Sequence, residues 1–206
     1  MAIANVGSRG TTVSSTSSNT ITRAPTATVA AGQVLLAFFS GDNTSASDGD
    51  NSEVTSVTDT QGNTWTKAAE YTNSGGSAAA GVTASLWFSN IETQLTTGDV
   101  VTMSLSANAT DKCMALWEYS VAAGNGIQAV GSPVTNEVNA AQGFGSAVIS
   151  SLPSKEYLFV RCAGKEANST TTITASSGFV SYAWNIRSRN NTAAQILRGE
   201  YDIVTG

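Results

Sequence analysis

Four acidic side chains crowd one stretch of this chain: Asp42, Asp48, Asp50 and Glu53, within Asp42-Asn43-Thr44-Ser45-Ala46-Ser47-Asp48-Gly49-Asp50-Asn51-Ser52-Glu53. Hard cations such as calcium take roughly six to eight oxygen ligands, which a loop of Asp, Asn and Ser can supply. The spacing does not follow an EF-hand loop, and Asp, Gly and Asn are also ordinary turn formers. The stretch reads as a solvated loop between strands, with a calcium site on these four carboxylates as the alternative.

Catalytic chemistry finds less support. The sequence has no histidine, which removes the commonest general base and every His-dependent triad or zinc site. Glu70, Glu118, Glu137 and Glu166 could in principle furnish a carboxylate pair for glycoside hydrolysis, yet their spacing singles out no two of them. Gly124-Asn125-Gly126 and Gly143-Phe144-Gly145 are weak phosphate-loop signals and read as turns and strand ends. No catalytic residue, resident metal or cofactor is expected.

Among the aromatics, Trp65, Tyr182 and Trp184 are the best placed to offer a sugar-binding platform. Trp65 follows a turn, and Tyr182 and Trp184 share one strand face. Cys113 and Cys162 each sit in an apolar stretch and read as buried, reduced thiols; a disulfide between neighbouring strands is the alternative.

The elements that must position these groups are strands. Of 206 residues, 41% are hydrophobic and only 12% charged, where about 25% charged is usual; Ser, Thr, Asn, Gly and Ala fill the difference. That composition suits short strands joined by polar turns. Gln33 to Ser40 is almost continuously apolar, as a central strand with both faces covered would be. Val101, Met103 and Leu105 alternate with Thr102, Ser104 and Ser106, so the first set faces the core. In the next strand Cys113, Ala115, Trp117 and Tyr119 lie on one face and Met114, Leu116 and Glu118 on the other. Glu53 to Asp59 and Thr64 to Tyr71 flank Thr60-Gln61-Gly62-Asn63, which predicts a hairpin with a tight turn. Further strands are expected over Val82 to Ser89, Gly126 to Val134, Phe144 to Ser150, Glu156 to Ala163, Thr170 to Ala175, Phe179 to Arg187 and Ala194 to Val204. No segment sustains a 3.6-residue period, so helix should be minor. The expectation is an all-β, antiparallel two-sheet β-sandwich, jelly-roll-like, formed by residues 21–206, with residues 1–20 as an extended N-terminal arm or edge strand.

Charge narrows the partners. Ten basic residues against 15 acidic give a net charge of −5. Such a field gains nothing from counterion release on DNA or RNA and is repelled by anionic lipid. No apolar run approaches the ~20 residues that span a bilayer, and the first residues lack the basic-then-apolar pattern of a signal peptide. Neither nucleic acid nor membrane is expected as a partner.

The succession Ala31-Gly32-Gln33-Val34-Leu35-Leu36-Ala37-Phe38, Val57-Thr58-Asp59-Thr60-Gln61-Gly62-Asn63-Thr64-Trp65, Leu86-Trp87-Phe88-Ser89-Asn90-Ile91, Gly98-Asp99-Val100-Val101-Thr102-Met103 and Trp117-Glu118-Tyr119-Ser120 resembles a jelly-roll-like β-sandwich domain of phage virion proteins and secreted bacterial surface proteins. The likeness runs from about residue 20 to Val204, and the family has no catalytic residues to carry over. The resemblance implies a structural or adhesive role. Without a signal peptide, it implies a virion protein made in the host cytoplasm: a head decoration (cement) protein, or a tail or fibre component. Its partners would be the major capsid protein or other virion proteins, with the subunit itself a homo-oligomer. A carbohydrate-binding module contacting host glycans is the reading from a different class.

Overall fold

The computed structural model describes residues 2–44, 47–74, 80–135, 137, 153–167, 172–174, 176–188 and 194–205, with backbone alone at 167 and 183–185. Among these the regular structure is all strand, without helix: β1 (Ala4–Ser14), β2 (Ser18–Arg23), β3 (Val34–Asp42), β4 (Val54–Asp59), β5 (Thr66–Asn73), β6 (Val82–Asn90), β7 (Val101–Ala109), β8 (Lys112–Ser120), β9 (Glu156–Ala167), β10 (Val180–Arg187) and β11 (Ala194–Thr205). The expected all-β antiparallel sandwich is what the chain forms, with three sheets where two were expected.

The first eight strands have the connectivity of a rolled-up hairpin. β1 pairs with β8, β2 with β7 and β3 with β6, all antiparallel, as if strands one to four had been laid beside strands eight to five. Rolling that ribbon adds the pairings β3·β8 and β4·β7. The result is one sheet in the order β1-β8-β3-β6-β5 and a second in the order β2-β7-β4, the wrapping of a jelly roll. β5 departs from it by joining β6. A third sheet, β10-β11-β9, follows in sequence and lies on the other face of the five-stranded sheet.

Two cores result, one on each side of that sheet. Ile21, Val57 and Met103 of the β2-β7-β4 layer pack with Leu35, Phe39 and Leu116. Tyr182, Leu197 and Tyr201 of the third sheet pack with Leu36, Phe38 and Trp117. The continuous apolarity of β3 therefore has its expected cause: alternate residues enter different cores. β8 divides in the same way, Met114 and Leu116 to one core and Cys113, Ala115, Trp117 and Tyr119 to the other.

Two expectations need correction. β4 and β5 do not pair with each other: β4 bonds to β7 and β5 to β6. The Thr60-Gln61-Gly62-Asn63 turn is thus a corner that carries the chain from one sheet to another, with no ladder across it. Gly126 to Val134 is irregular rather than a strand, because the Asn90 side chain takes the backbone groups of Ile127: Asn90 Oδ1 accepts its N–H at 2.8 Å and Asn90 Nδ2 donates to its carbonyl at 3.0 Å. The expected strand over Phe144 to Ser150 lies outside the described residues, as do Thr170, Thr171 and Ala175 of the one expected over Thr170 to Ala175.

β1 forms the edge beside β8. Its register slips twice, between Asn5 and Gly7 and between Ser8 and Gly10, and Gly7 and Gly10 have φ of +131° and +112°, a region costly for side-chain-bearing residues.

Candidate functional site

The residues most able to do chemistry are distributed among separate structural tasks. Asp42, on β3, accepts from Gln195 Nε2 (2.8 Å) through Oδ1 and from the Asp111 N–H (2.9 Å) through Oδ2, linking β3 to the third sheet and to the β7–β8 turn. Asp48 accepts from the Ser74 N–H at 3.2 Å. Asp50 accepts from Ser52 N–H and Oγ at 2.6 and 2.7 Å, a turn-forming arrangement that also lowers its pKa. Glu53 accepts from Ser106 Oγ at 2.9 Å and from Thr44 Oγ1; burial, the largest influence, pushes its carboxyl up. Among the described residues no three His, Cys, Asp or Glu side chains converge as a metal site.

The glutamates are likewise dispersed. Glu70 accepts from the Val54 N–H at 3.1 Å and pairs with Lys67 Nζ at 3.0 Å, joining β5 to the β4 layer. Glu118 is buried on β8 and pairs with Arg9 of β1; desolvation raises its pKa against the pull of Arg9. Glu166 accepts from the Gly81 N–H at 2.8 Å. Glu137 lies near Asp48, and desolvation followed by that neighbour raises it. Glu70, Glu137 and Glu166 line one cleft, but Glu70 is engaged by Lys67 and the Val54 N–H, Glu166 by the Gly81 N–H, and Glu137 faces Asp48, so no acid–nucleophile pair of the kind glycoside hydrolysis uses is singled out.

The aromatic candidates also turn inward. Tyr182 is 1% exposed, where an exposed platform was the expectation. Its hydroxyl meets that of Tyr119 at 2.8 Å, and its ring stacks on Tyr201 at 5.1 Å and tilts against Trp117 at 4.4 Å. The cause is the third sheet, which closes over β8 and places Tyr182 between the layers. Trp65 is half-buried against the core, and its indole N–H donates to Asp59 Oδ2 at 2.8 Å. The Trp184 side chain lies outside the described residues. Both thiols are free: Cys113 contacts the Gln195 carbonyl at 3.2 Å and Cys162 the Ser85 and Phe39 carbonyls at 3.6 and 3.7 Å. Burial pushes Cys113 far up and Cys162 up to about 12, so neither is a ready nucleophile.

What the sequence motif does build is a clasp. Asp59 Oδ1 accepts from the N–H groups of Gln61 (2.9 Å) and Asn63 (3.2 Å) and from Asn63 Nδ2 (3.2 Å). Asn63 Oδ1 in turn accepts from the N–H groups of Glu92 and Thr93 at 2.9 and 2.8 Å. Asp99 completes it, accepting from Thr60 Oγ1 (2.7 Å), Gln61 Nε2 (2.6 Å), and the Thr96 N–H and Oγ1 (both 2.7 Å). Those bonds hold the Asp99 carboxyl well below the usual range. Gly62, at φ +76°, supplies the left-handed residue that the corner needs. The clasp replaces the backbone ladder that a true hairpin would have had.

The remaining feature is a cleft of about 1590 Å³ between the β5–β6 end of the five-stranded sheet and β9. Its described walls include Ala68, Leu86 and Phe88 on one side and Leu158, Val160 and Cys162 on the other. It exceeds the ~300–1,000 Å³ of a typical small-ligand pocket, and its described walls hold no nucleophile paired with a base. Compared with known proteins, the chain matches no family model, no curated protein and no solved structure.

Proposed function

We propose that this chain is a non-enzymatic structural protein of a phage virion, a head decoration (cement) subunit that binds the surface of the assembled capsid. The observation that carries the reading is the rolled-hairpin connectivity of β1 to β8, the architecture implied by the family resemblance centred on Val57 to Trp65. Its supporting counterpart is chemical: the acidic, thiol and described aromatic candidates are bound up in holding layers and corners together. A broad cleft with both apolar and charged walls suits a partner's surface better than a single small substrate.

In this account the subunit adds association energy by burying surface against the major capsid protein or other virion proteins, as a symmetric homo-oligomer. Low charge keeps it from adhering to nucleic acid or anionic membranes. A tail or fibre component would use the same surfaces on a different part of the particle. A glycan-binding module would need exposed, coplanar aromatics beside Asp or Asn; the burial of Tyr182 and the bonding of Trp65 to Asp59 withdraw two of its three supports. Co-sedimentation of the purified protein with undecorated capsids tests the proposal, with tails as the comparison.

A further inference from the structure

We propose that Asn125 is a spontaneous modification site that converts through a succinimide to aspartate and isoaspartate in the folded protein. The Asn125-Gly126 step is solvent-exposed. Gly126 has no Cβ to obstruct approach of its backbone nitrogen to the Asn125 side chain. The turn before it is preset: Asn125 N–H donates to the Ala122 carbonyl at 3.0 Å, and Asn125 Nδ2 donates to the carbonyls of Ala122 and Ala123 at 3.1 and 3.2 Å. The amide that would leave is thereby directed back along the chain, away from Gly126. No hydrogen bond to the Gly126 N–H is found among the described residues.

Asn51 and Asn73 are protected where this one is not. The nitrogen that would attack Asn51 belongs to Ser52 and is donated to Asp50 at 2.6 Å. The one that would attack Asn73 belongs to Ser74 and is donated to Asp48 at 3.2 Å. Both following residues also carry a Cβ.

The step balances as follows. Hydroxide from solvent removes the Gly126 amide proton, and the nitrogen attacks Asn125 Cγ to form a C–N bond. The tetrahedral intermediate collapses by breaking Cγ–Nδ2, and the departing nitrogen takes up a proton and leaves as ammonia. Water then opens the five-membered ring at either carbonyl, giving aspartate or isoaspartate. The net change is amide plus water to carboxylate plus ammonium. Isoaspartate inserts one extra backbone carbon and a negative charge just ahead of Ile127, whose N–H and carbonyl are clamped by Asn90. The segment beyond, from Ile127 to Thr135, lines the cleft, so the modification acts at the root of one cleft wall.

The test is peptide mapping by mass spectrometry after timed incubation of the full chain at neutral and at mildly alkaline pH, with isoaspartate distinguished by fragmentation. A synthetic peptide covering the same turn serves as the clock. Conversion at Asn125 is expected at least about tenfold faster than at Asn51 or Asn73, a barrier difference of about 1.4 kcal/mol. The rate should rise with pH, and hydrogen exchange at the Ile127 N–H should accelerate in the isoaspartate fraction. Asn125→Gln should abolish the early product while leaving the fold intact. An unmodified Asn125 in the folded chain after the peptide has fully converted would overturn the proposal, as would earlier conversion at Asn51 or Asn73.

Discussion

Asp59 and Trp65 face each other across a corner between two sheets, the Asp59 carboxylate accepting the Trp65 indole N–H at 2.8 Å. Because β4 and β5 pair with different strands, this contact and its neighbours fix a chain reversal that no ladder supports. Asp59 also holds the Gln61 and Asn63 N–H groups, so one carboxylate organises the whole turn.

Replacing Asp59 with Ala should therefore lower stability by about 2–4 kcal/mol, given several charge-assisted bonds lost together. The check is urea unfolding, in which the midpoint falls and the slope stays constant. A midpoint equal to that of the unmodified protein would show the corner is held without the clasp.

Asp99 predicts a particular acid response. Its folded-state pKa is depressed, first by the Thr60 hydroxyl and then by its other bonds, so below an unfolded value of about 3.9 the unfolded chain binds more protons. This contribution to stability is complete above that pH and is lost as pH falls toward the folded value. Asp99→Asn should be less stable at neutral pH and show a shallower acid decline than the unmodified chain, measured by thermal unfolding from neutral pH downward.

Arg9, half-buried, and Glu118, buried, tie β1 to β8 as an ion pair. Arg9→Ala leaves the Glu118 charge without its cation and should destabilise by about 2–4 kcal/mol at neutral pH. Glu118 already has a raised pKa, chiefly from desolvation, and losing Arg9 raises it further. Protonation then removes the buried charge, so the deficit should shrink as pH drops toward the carboxylate range. A deficit that is constant with pH would assign the loss to packing instead.

With both thiols free and their pKa values raised, the native protein should resist alkylation near pH 8 and react at two sites once unfolded. Migration in non-reducing and reducing gels should be identical. A disulfide-dependent shift would contradict the assigned thiol environments.

The parts of the fold legible in the sequence are those where burial alone sets the pattern. The apolar run of β3 and the alternation of β7 and β8 place their side chains correctly, because each strand faces a core on one or both sides. β1 carries no such pattern: it is polar, interrupted by two bulges, and joined to its sheet by backbone pairing with β8. The Gly126 to Val134 pattern misleads because one side chain, Asn90, captures the Ile127 backbone that a ladder would have used. Asp59, not among the candidate site residues, carries a local signal all the same, an Asp followed at two and four residues by the N–H groups it accepts. The partners of Asp42, Glu118 and Tyr182 are 153, 109 and 63 residues away, as for Gln195, Arg9 and Tyr119, a distance at which local pattern carries no information.

The most direct test of the central claim is sedimentation of the purified chain with expanded, undecorated capsids and, separately, with tails. The account predicts saturable, stoichiometric co-sedimentation with capsids and none with tails. Protein that remains in the supernatant at every capsid concentration would contradict it.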